Sequence, residues 1–431
     1  MKAIKKTFDS GLRLITIPMP DTPSVTTTVW AGVGSSKENR SKAGIAHFFE
    51  HIVFKGSQKF PSAKALSEAI DSFGGEQNAF TGKELTGFYV KAPVSRFKDG
   101  FEVVTDMVFN PLIPSDDIEK EKGVIKSEID MYADTPTRHV YDIFGEEVFK
   151  NSPLEHQVIG TKKTVDSITR QDFIDYQKKF YVPENIVITI AGGVSVADAE
   201  AAISDIRSSL LRGADSHRPA IRSAADARKP LKLSPQVRVE SRKTDQAHLI
   251  VGYRGFGFVD NKLRWAEDLL RAILGGGMSS RIFTEVREKR GLAYAVKTGN
   301  HNYTHDGSFQ TYVGTTPKKA PDAVKLVLEE YAKLTDIATA KISEAEFKKA
   351  KEYLKGHLNL ALEDTSEVGE IHGIEEVLAG EMMTPSMMIK GVDSVTLEQI
   401  AEVARHHFQK DRLALAVIGP FESEEKFKKL L

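Results

Sequence analysis

Three residues in the stretch Gly44-Ile45-Ala46-His47-Phe48-Phe49-Glu50-His51-Ile52-Val53-Phe54-Lys55-Gly56 have side chains that could do chemistry. His47, Glu50 and His51 sit in a largely apolar run that reads as a short helix between two glycines. Residues i, i+3 and i+4 share one helical face, so the three project together. Burying two imidazoles and a carboxylate without partners would cost roughly several kcal/mol each, and two histidines at i and i+4 suit one metal ion. The order His-x-x-Glu-His inverts the His-Glu-x-x-His metalloprotease pattern, in which paired histidines hold zinc and the glutamate is the base. A core helix whose histidines bond to backbone would carry the same letters, so a third ligand has to decide.

Composition limits where that ligand can come from. The 431 residues contain no cysteine, which excludes a disulfide framework and a thiolate site and leaves histidine and carboxylate donors. With 59 basic and 60 acidic residues, the net charge of −1 argues against a nucleic-acid binder held by bulk charge. The N-terminal Met1 to Asp9 lacks an apolar secretory core. No apolar run reaches the roughly 18 residues of a membrane span, so a cytoplasmic protein is expected.

Two strand-like runs, 12–17 and 25–31, precede the His/Glu helix, and a helical pattern runs from Ser62 to Phe73. After Gly74-Gly75, residues 77–81 lead towards a strand at 86–90. Pro114-Ser115-Asp116-Asp117 starts a helix that continues to about Ala133. One of its faces carries Glu121, Ile125, Glu128 and Tyr132, two carboxylates two turns apart around an isoleucine, although a solvated acidic helix would read the same way. A capped helix at 166–180, a strand at 186–191 and a helix at 196–211 close the first half. Residues 212–235, polar, basic and Pro/Ala-rich without periodicity, read as a linker.

The second half repeats the first in outline. Phe180 to Gly192 resembles His407 to Gly419, and the offset that carries Phe180 onto His407 carries His47 onto Leu274. The chain therefore reads as a diverged duplication in which only the first copy holds the metal triplet. Its domains are expected at 1–215 and 236–431, joined by a linker at 216–235. Gly275-Gly276-Gly277 invites a phosphate-loop reading, but no Gly-Lys-Ser/Thr follows.

His47-Phe48-Phe49-Glu50-His51 with Ile52-Val53-Phe54-Lys55-Gly56-Ser57, and with Glu128 at the family's distance downstream of His51, resembles the pitrilysin/insulinase family of zinc peptidases, in particular its short, mitochondrial-processing-peptidase-like branch. Gly75 to Thr81, Val158 to Thr161 and Arg287 to Tyr294 extend the resemblance over essentially the whole chain. It implies an α+β fold of two related domains, each a mostly antiparallel sheet backed by helices. It further implies His47, His51 and Glu128 as zinc ligands, Glu50 as general base, and Glu121 as a carboxylate that orients a ligand from behind. Arg287 and Tyr294 match the family's substrate-holding pair, and Asn78, Ala79 and Phe80 match an edge strand to which an extended peptide adds.

The resemblance implies a Zn²⁺-dependent endopeptidase acting on peptides, with two chains closing as a clamshell, hence a homodimer. One departure is Arg138, ten positions after Glu128, where processing peptidases carry an acid; the second acidic position is matched by Asp142. Strict presequence specificity is therefore not expected. The alternative is a non-catalytic or heterodimeric scaffold or binding subunit, to which the glycine-rich loop 275–277 would also be suited.

Overall fold

The computed structural model describes residues 2–210, 234–259 and 261–431. The chain begins with β1 (Ile4–Thr7), β2 (Arg13–Pro18) and β3 (Ser24–Ala31), followed by α1 (Ile45–Val53), α2 (Ala63–Asp71), β4 (Glu76–Thr81) and β5 (Thr86–Pro93). Then come α3 (Phe97–Phe109), α4 (Ser115–Ala133), α5 (Pro136–Val148), α6 (Lys162–Ser167), α7 (Arg170–Phe180), β6 (Ile186–Gly192) and α8 (Val196–Leu210). Beyond residue 233 the order is β7 (Gln236–Ser241), β8 (Ala247–Gly255), α9 (Arg264–Gly275), a π-helical turn (Phe283–Lys289), β9 (Ala293–Asn302) and β10 (Gly307–Thr315). Next are α10 (Ala320–Lys333), α11 (Ile337–Ala340), α12 (Glu344–Ala361), α13 (Thr365–Ala379), α14 (Pro385–Ser394), α15 (Leu397–His407), β11 (Leu413–Gly419) and α16 (Glu425–Lys428). Among the described residues no helix is long and apolar enough to cross a membrane. Up to residue 233, the expected linker falls outside the described residues.

The α+β architecture is the one expected. The first sheet has the order β1-β2-β6-β3-β5-β4 and the second β7-β11-β8-β10-β9. Only β2–β6 and β7–β11 are parallel pairs, so both sheets are mostly antiparallel. The second order is the first with β1 removed, strand for strand, parallel pair included. The duplication is also visible in register: the shift that carries α7 onto α15 carries β6 onto β11, matching both elements end to end, and it is the offset read from the sequence. The helix expected at 166–180 is in fact α6 and α7, because Thr169 breaks it and forms a capping box with Asp172 at the start of α7.

The described residues divide into two compact units. The first is Met1–Ile129, His156–Arg228 and Asn359–Thr384; the second is Asp130–Glu155, Lys229–Leu358 and Pro385–Leu431. Each unit thus includes a helical segment from the other half of the sequence, and a single cut at the linker does not separate them. In the second unit, β8 and β11 are buried on both faces. Leu249, Val251, Leu415 and Val417 pack in a core with α9, α10 and α15, whereas Ile250, Ala414, Ala416 and Ile418 pack against Val140, Ile143 and Phe144 of α5. Burial on both faces is why these strands are near-continuous apolar runs.

In the first unit α13 does for its sheet what α5 does for the second. Its Val368 joins Ile15, Ile17, Trp30, Val187 and Ala191 in one core. Asp364 caps the helix through Ser366 N at 2.7 Å and receives Lys91 Nζ at 2.7 Å, while buried Glu376 takes Lys5 and Arg13. Gly373 lets the helix lie directly on the sheet. A Cβ there would stand 2.4 Å from Trp30 Nε1, and that nitrogen is held by its hydrogen bond to Thr189 Oγ1 at 3.0 Å.

Gly373→Ala is therefore expected to destabilise the protein by about 1–3 kcal/mol through overpacking, although alanine is intrinsically the better helix former by about 1 kcal/mol. A denaturation midpoint equal to or above that of the parent would contradict this.

Candidate metal centre

Helix α1 is short and needs support at both ends. Its first residue follows Gly44 at φ 95°, where a Cβ would meet Ile159 O at 2.6 Å, so the Val158–Thr161 loop lies against the helix start. The Glu38 carboxylate accepts hydrogen bonds from Gly44 N and Ala46 N, both at 2.8 Å, and satisfies two of the amides that a helix N-terminus leaves open. Burial pushes the Glu38 carboxyl up to about 7, against the pull of these two donors. The apolar face is anchored by Phe48 on Phe173 and Phe49 on Tyr181, with ring centres 4.9 and 4.7 Å apart. Ile45, Ala46, Phe48, Phe49, Ile52 and Val53 are all buried.

This leaves His47, Glu50 and His51 together on the remaining face, with the two imidazole centres 4.6 Å apart. Helix α4 supplies the carboxylates. Its Ile125 is fully buried, and the glutamates on either side of it point to α1. Glu128 Oε2 lies 3.8 Å from His47 Nε2 and 3.6 Å from His51 Nε2. Ligand atoms of these three residues lie within 4.8 Å of one another, and they are the one such group of histidines and acids among the described residues. Donors around a tetrahedral zinc are about 3.3 Å apart, and the two separations between Glu128 and the histidines exceed that by only a few tenths of an ångström.

Glu121 takes the other side of the ring: its Oε1 lies 2.8 Å from His51 Nδ1, and its Oε2 receives Lys55 Nζ at 2.6 Å. Burial raises the pKa of Glu121, but the hydrogen bonds from His51 and Lys55 outweigh that and hold the carboxyl below its ordinary range. With Nδ1 of His51 engaged by Glu121, Nε2 is the nitrogen that faces Glu128. The donor set is two imidazoles and one carboxylate with a second carboxylate behind, a set suited to zinc.

Glu50 stands apart from that donor group. Thr81, at the end of β4, donates a short hydrogen bond to its Oε2. Burial raises the Glu50 pKa, opposed by the Thr81 bond and the charge of His51 and assisted by Glu128. β4 pairs only with β5 and is an edge of the first sheet. Of the candidate substrate contacts on it, Asn78 is exposed, Ala79 is half-buried and pairs with Phe88, and Phe80 lies edge-on to Trp30 at 5.7 Å.

Arg287 and Tyr294 belong to the second unit. They are brought together there, the guanidinium 4.8 Å from the centre of the tyrosine ring, and Tyr294 is 80% exposed. Arg138 stacks 3.6 Å over Tyr132, and Asp142 lies 3.9 Å from His139. The sequence reading had not singled out Glu38, Lys55 or Thr81. Lys55 and Thr81 lie within stretches that carry the resemblance, and Lys55 follows His51 at helical spacing although α1 itself ends at Val53.

The model of the insulinase family, peptidase family M16, matches residues 13–162, the stretch that contains α1 and Glu128. The model of the M16 inactive domain matches residues 167–354, a stretch with none of the metal group. An uncharacterized zinc protease of Streptomyces coelicolor is 36% identical over 423 residues, 98% of this chain and 90% of that protein. One of Bacillus subtilis is 33% identical over 415 residues, 96% of this chain and 97% of that one. Among solved structures, a protease from Helicobacter pylori superposes with a TM-score of 0.89 at 21% identity, covering 97% of this chain and 99% of that chain. A peptidase M16 inactive domain from Pseudomonas fluorescens superposes at 0.87 and 19% identity, covering 98% and 99%. With both halves matched by family models and with these two zinc proteases similar over nearly their full lengths, this chain belongs to the insulinase family, peptidase family M16.

Proposed function

We propose that the chain is a zinc-dependent endopeptidase that hydrolyses extended peptides. The observation that carries this reading is the convergence of His47 and His51 of α1 with Glu128 of α4, next to Glu50. The relatives named as zinc proteases support the choice of metal. Retention of every member of the set disfavours a purely non-catalytic binding role, and the inactive-domain match falls outside it.

In this reading His47, His51 and Glu128 hold zinc, which would act as a Lewis acid and lower the pKa of a water to about 7. Glu50 is the proton carrier. One of its oxygens is taken by Thr81, which leaves the other to accept a proton from water and pass it to the departing amine. The free edge of β4 offers backbone groups to an extended peptide, so Asn78, Ala79 and Phe80 bind main chain and tolerate many side chains. Arg287 and Tyr294 would hold the peptide carbonyl and steady charge that develops on it. A homodimer that encloses the substrate completes the proposal, with each site using the Arg287 and Tyr294 of the partner chain.

A strong chelator should abolish peptide cleavage and Zn²⁺ should restore it; full activity in demonstrably metal-free protein would end the zinc reading. Glu50→Gln should retain zinc and lose about 10²–10⁴-fold in turnover, whereas Glu128→Gln should lose the metal. Metal analysis alongside kinetics distinguishes them, and a reversal of the two behaviours would refute the assigned roles. Glu121→Gln is expected to lose about 10–100-fold in affinity or activity. Mixing Glu50→Gln chains with Tyr294→Phe chains under subunit exchange should recover activity, since one site of each mixed dimer is then intact. Activity that stays at the level of the parents, with exchange verified by mass, would show that the pair serves its own chain.

A further inference from the structure

We infer that Lys55 is a positioning residue of the metal site, acting on zinc through Glu121 and His51. This rests on the metal site proposed above. Lys55 follows the last turn of α1, its own amide bonded to Ile52 O at 3.0 Å. The chain is fixed just beyond it, because Gly56 has φ 136° and a Cβ there would meet the Pro61 backbone at 2.9 Å. From this turn the side chain does not run out to water. It is 28% exposed, and its ammonium lies 2.6 Å from Oε2 of Glu121, whose side chain is 6% exposed.

Two consequences follow from that contact. The first is geometric. A carboxylate can rotate about its last bond, and Glu121 is gripped at both oxygens, by Lys55 on Oε2 and by His51 Nδ1 at 2.8 Å on Oε1. An acceptor at both oxygens donates nothing, so the ring proton of His51 sits on Nδ1 and its lone pair on Nε2, the nitrogen 3.6 Å from Glu128. The second is charge. Glu50, Glu121 and Glu128 bring three carboxylates to one pair of histidines; a divalent cation offsets two of those charges, and Lys55 is placed to offset the third. Two elements therefore hold Glu121 in register with His51: α4, on which it stands, and the turn after α1.

The test is zinc affinity of the full chain without substrate, read by competition with a chromophoric chelator. Lys55→Met should weaken binding by about 10–100-fold, as for other partners that orient a ligand, and Lys55→Arg, which keeps the charge, should recover most of the loss. Because Lys55 acts through Glu121, the Lys55→Met/Glu121→Gln double variant should bind zinc about as well as Glu121→Gln alone. Wild-type affinity in Lys55→Met, or fully additive losses in the double variant, would overturn the proposal. So would an equal loss of zinc affinity in Lys55→Met and Lys55→Arg, which would make the role one of packing rather than of the charge on Glu121. A parent chain that binds zinc but cleaves no peptide would refute the peptidase reading and leave this one standing; a parent that binds no zinc would refute both.

Discussion

A helix whose apolar side chains are all buried has little room for charge, and α1 carries three groups that need it managed. The site depends on how α1 and α4 meet. Two glutamates seven residues apart on α4 reach two histidines four residues apart on α1, one from each side of the His51 ring. The spacing works because both separations are close to whole helical turns, so each pair stays on one face. The surrounding features keep that meeting in place: Glu38 at the helix start, the Phe173 and Tyr181 rings beneath it, and the fixed turn after it. Partial burial makes these polar contacts costly to break, because a group that loses its partner there is only poorly hydrated.

What the sequence disclosed follows from the range of the interactions concerned. His47, Glu50 and His51 were legible because helical period alone gathers them, whereas Glu121 and Glu128 read like any solvated acidic face and were picked out only by the family resemblance. β6 and β11 stood out as apolar runs, and the offset between the two copies held to the residue at both ends of α7 and β6. Other features were hidden because they depend on which distant element comes to rest nearby. Thr81 lies on a strand well beyond α1, and Glu38 is linked to that helix only through backbone amides. The break between α6 and α7 was missed because apolar period runs across it, while the capping box at Thr169 decides the boundary.

The two sheets show what a duplication can preserve and what it can abandon. Strand order, the single parallel pair and the last helix–strand pair are shared. The metal group is not: the position matching His47 is Leu274, fully buried at the end of α9 in the second unit's core. In place of a polar face that second helix contributes core volume. Its remaining buried acid, Glu267, is satisfied by His407 at 2.8 Å, a pairing internal to the unit.

The exchanged helices bear on how the protein is made. α13, which closes one face of the first sheet, ends at Ala379, and α5, which closes one face of the second, is finished by Val148. A ribosome working from the N-terminus therefore exposes a first sheet with Trp30 and its neighbours uncovered until α13 has emerged, while α5 waits for β8 and β11, the strands it covers. Chains built of successive domains usually fold domain by domain as they appear; here neither half of the sequence contains every helix of its own unit. The strands of the first sheet are all made by Gly192 and can pair early, but the face that α13 covers stays open until that helix is made, so the nascent chain carries exposed apolar strand surface in the meantime.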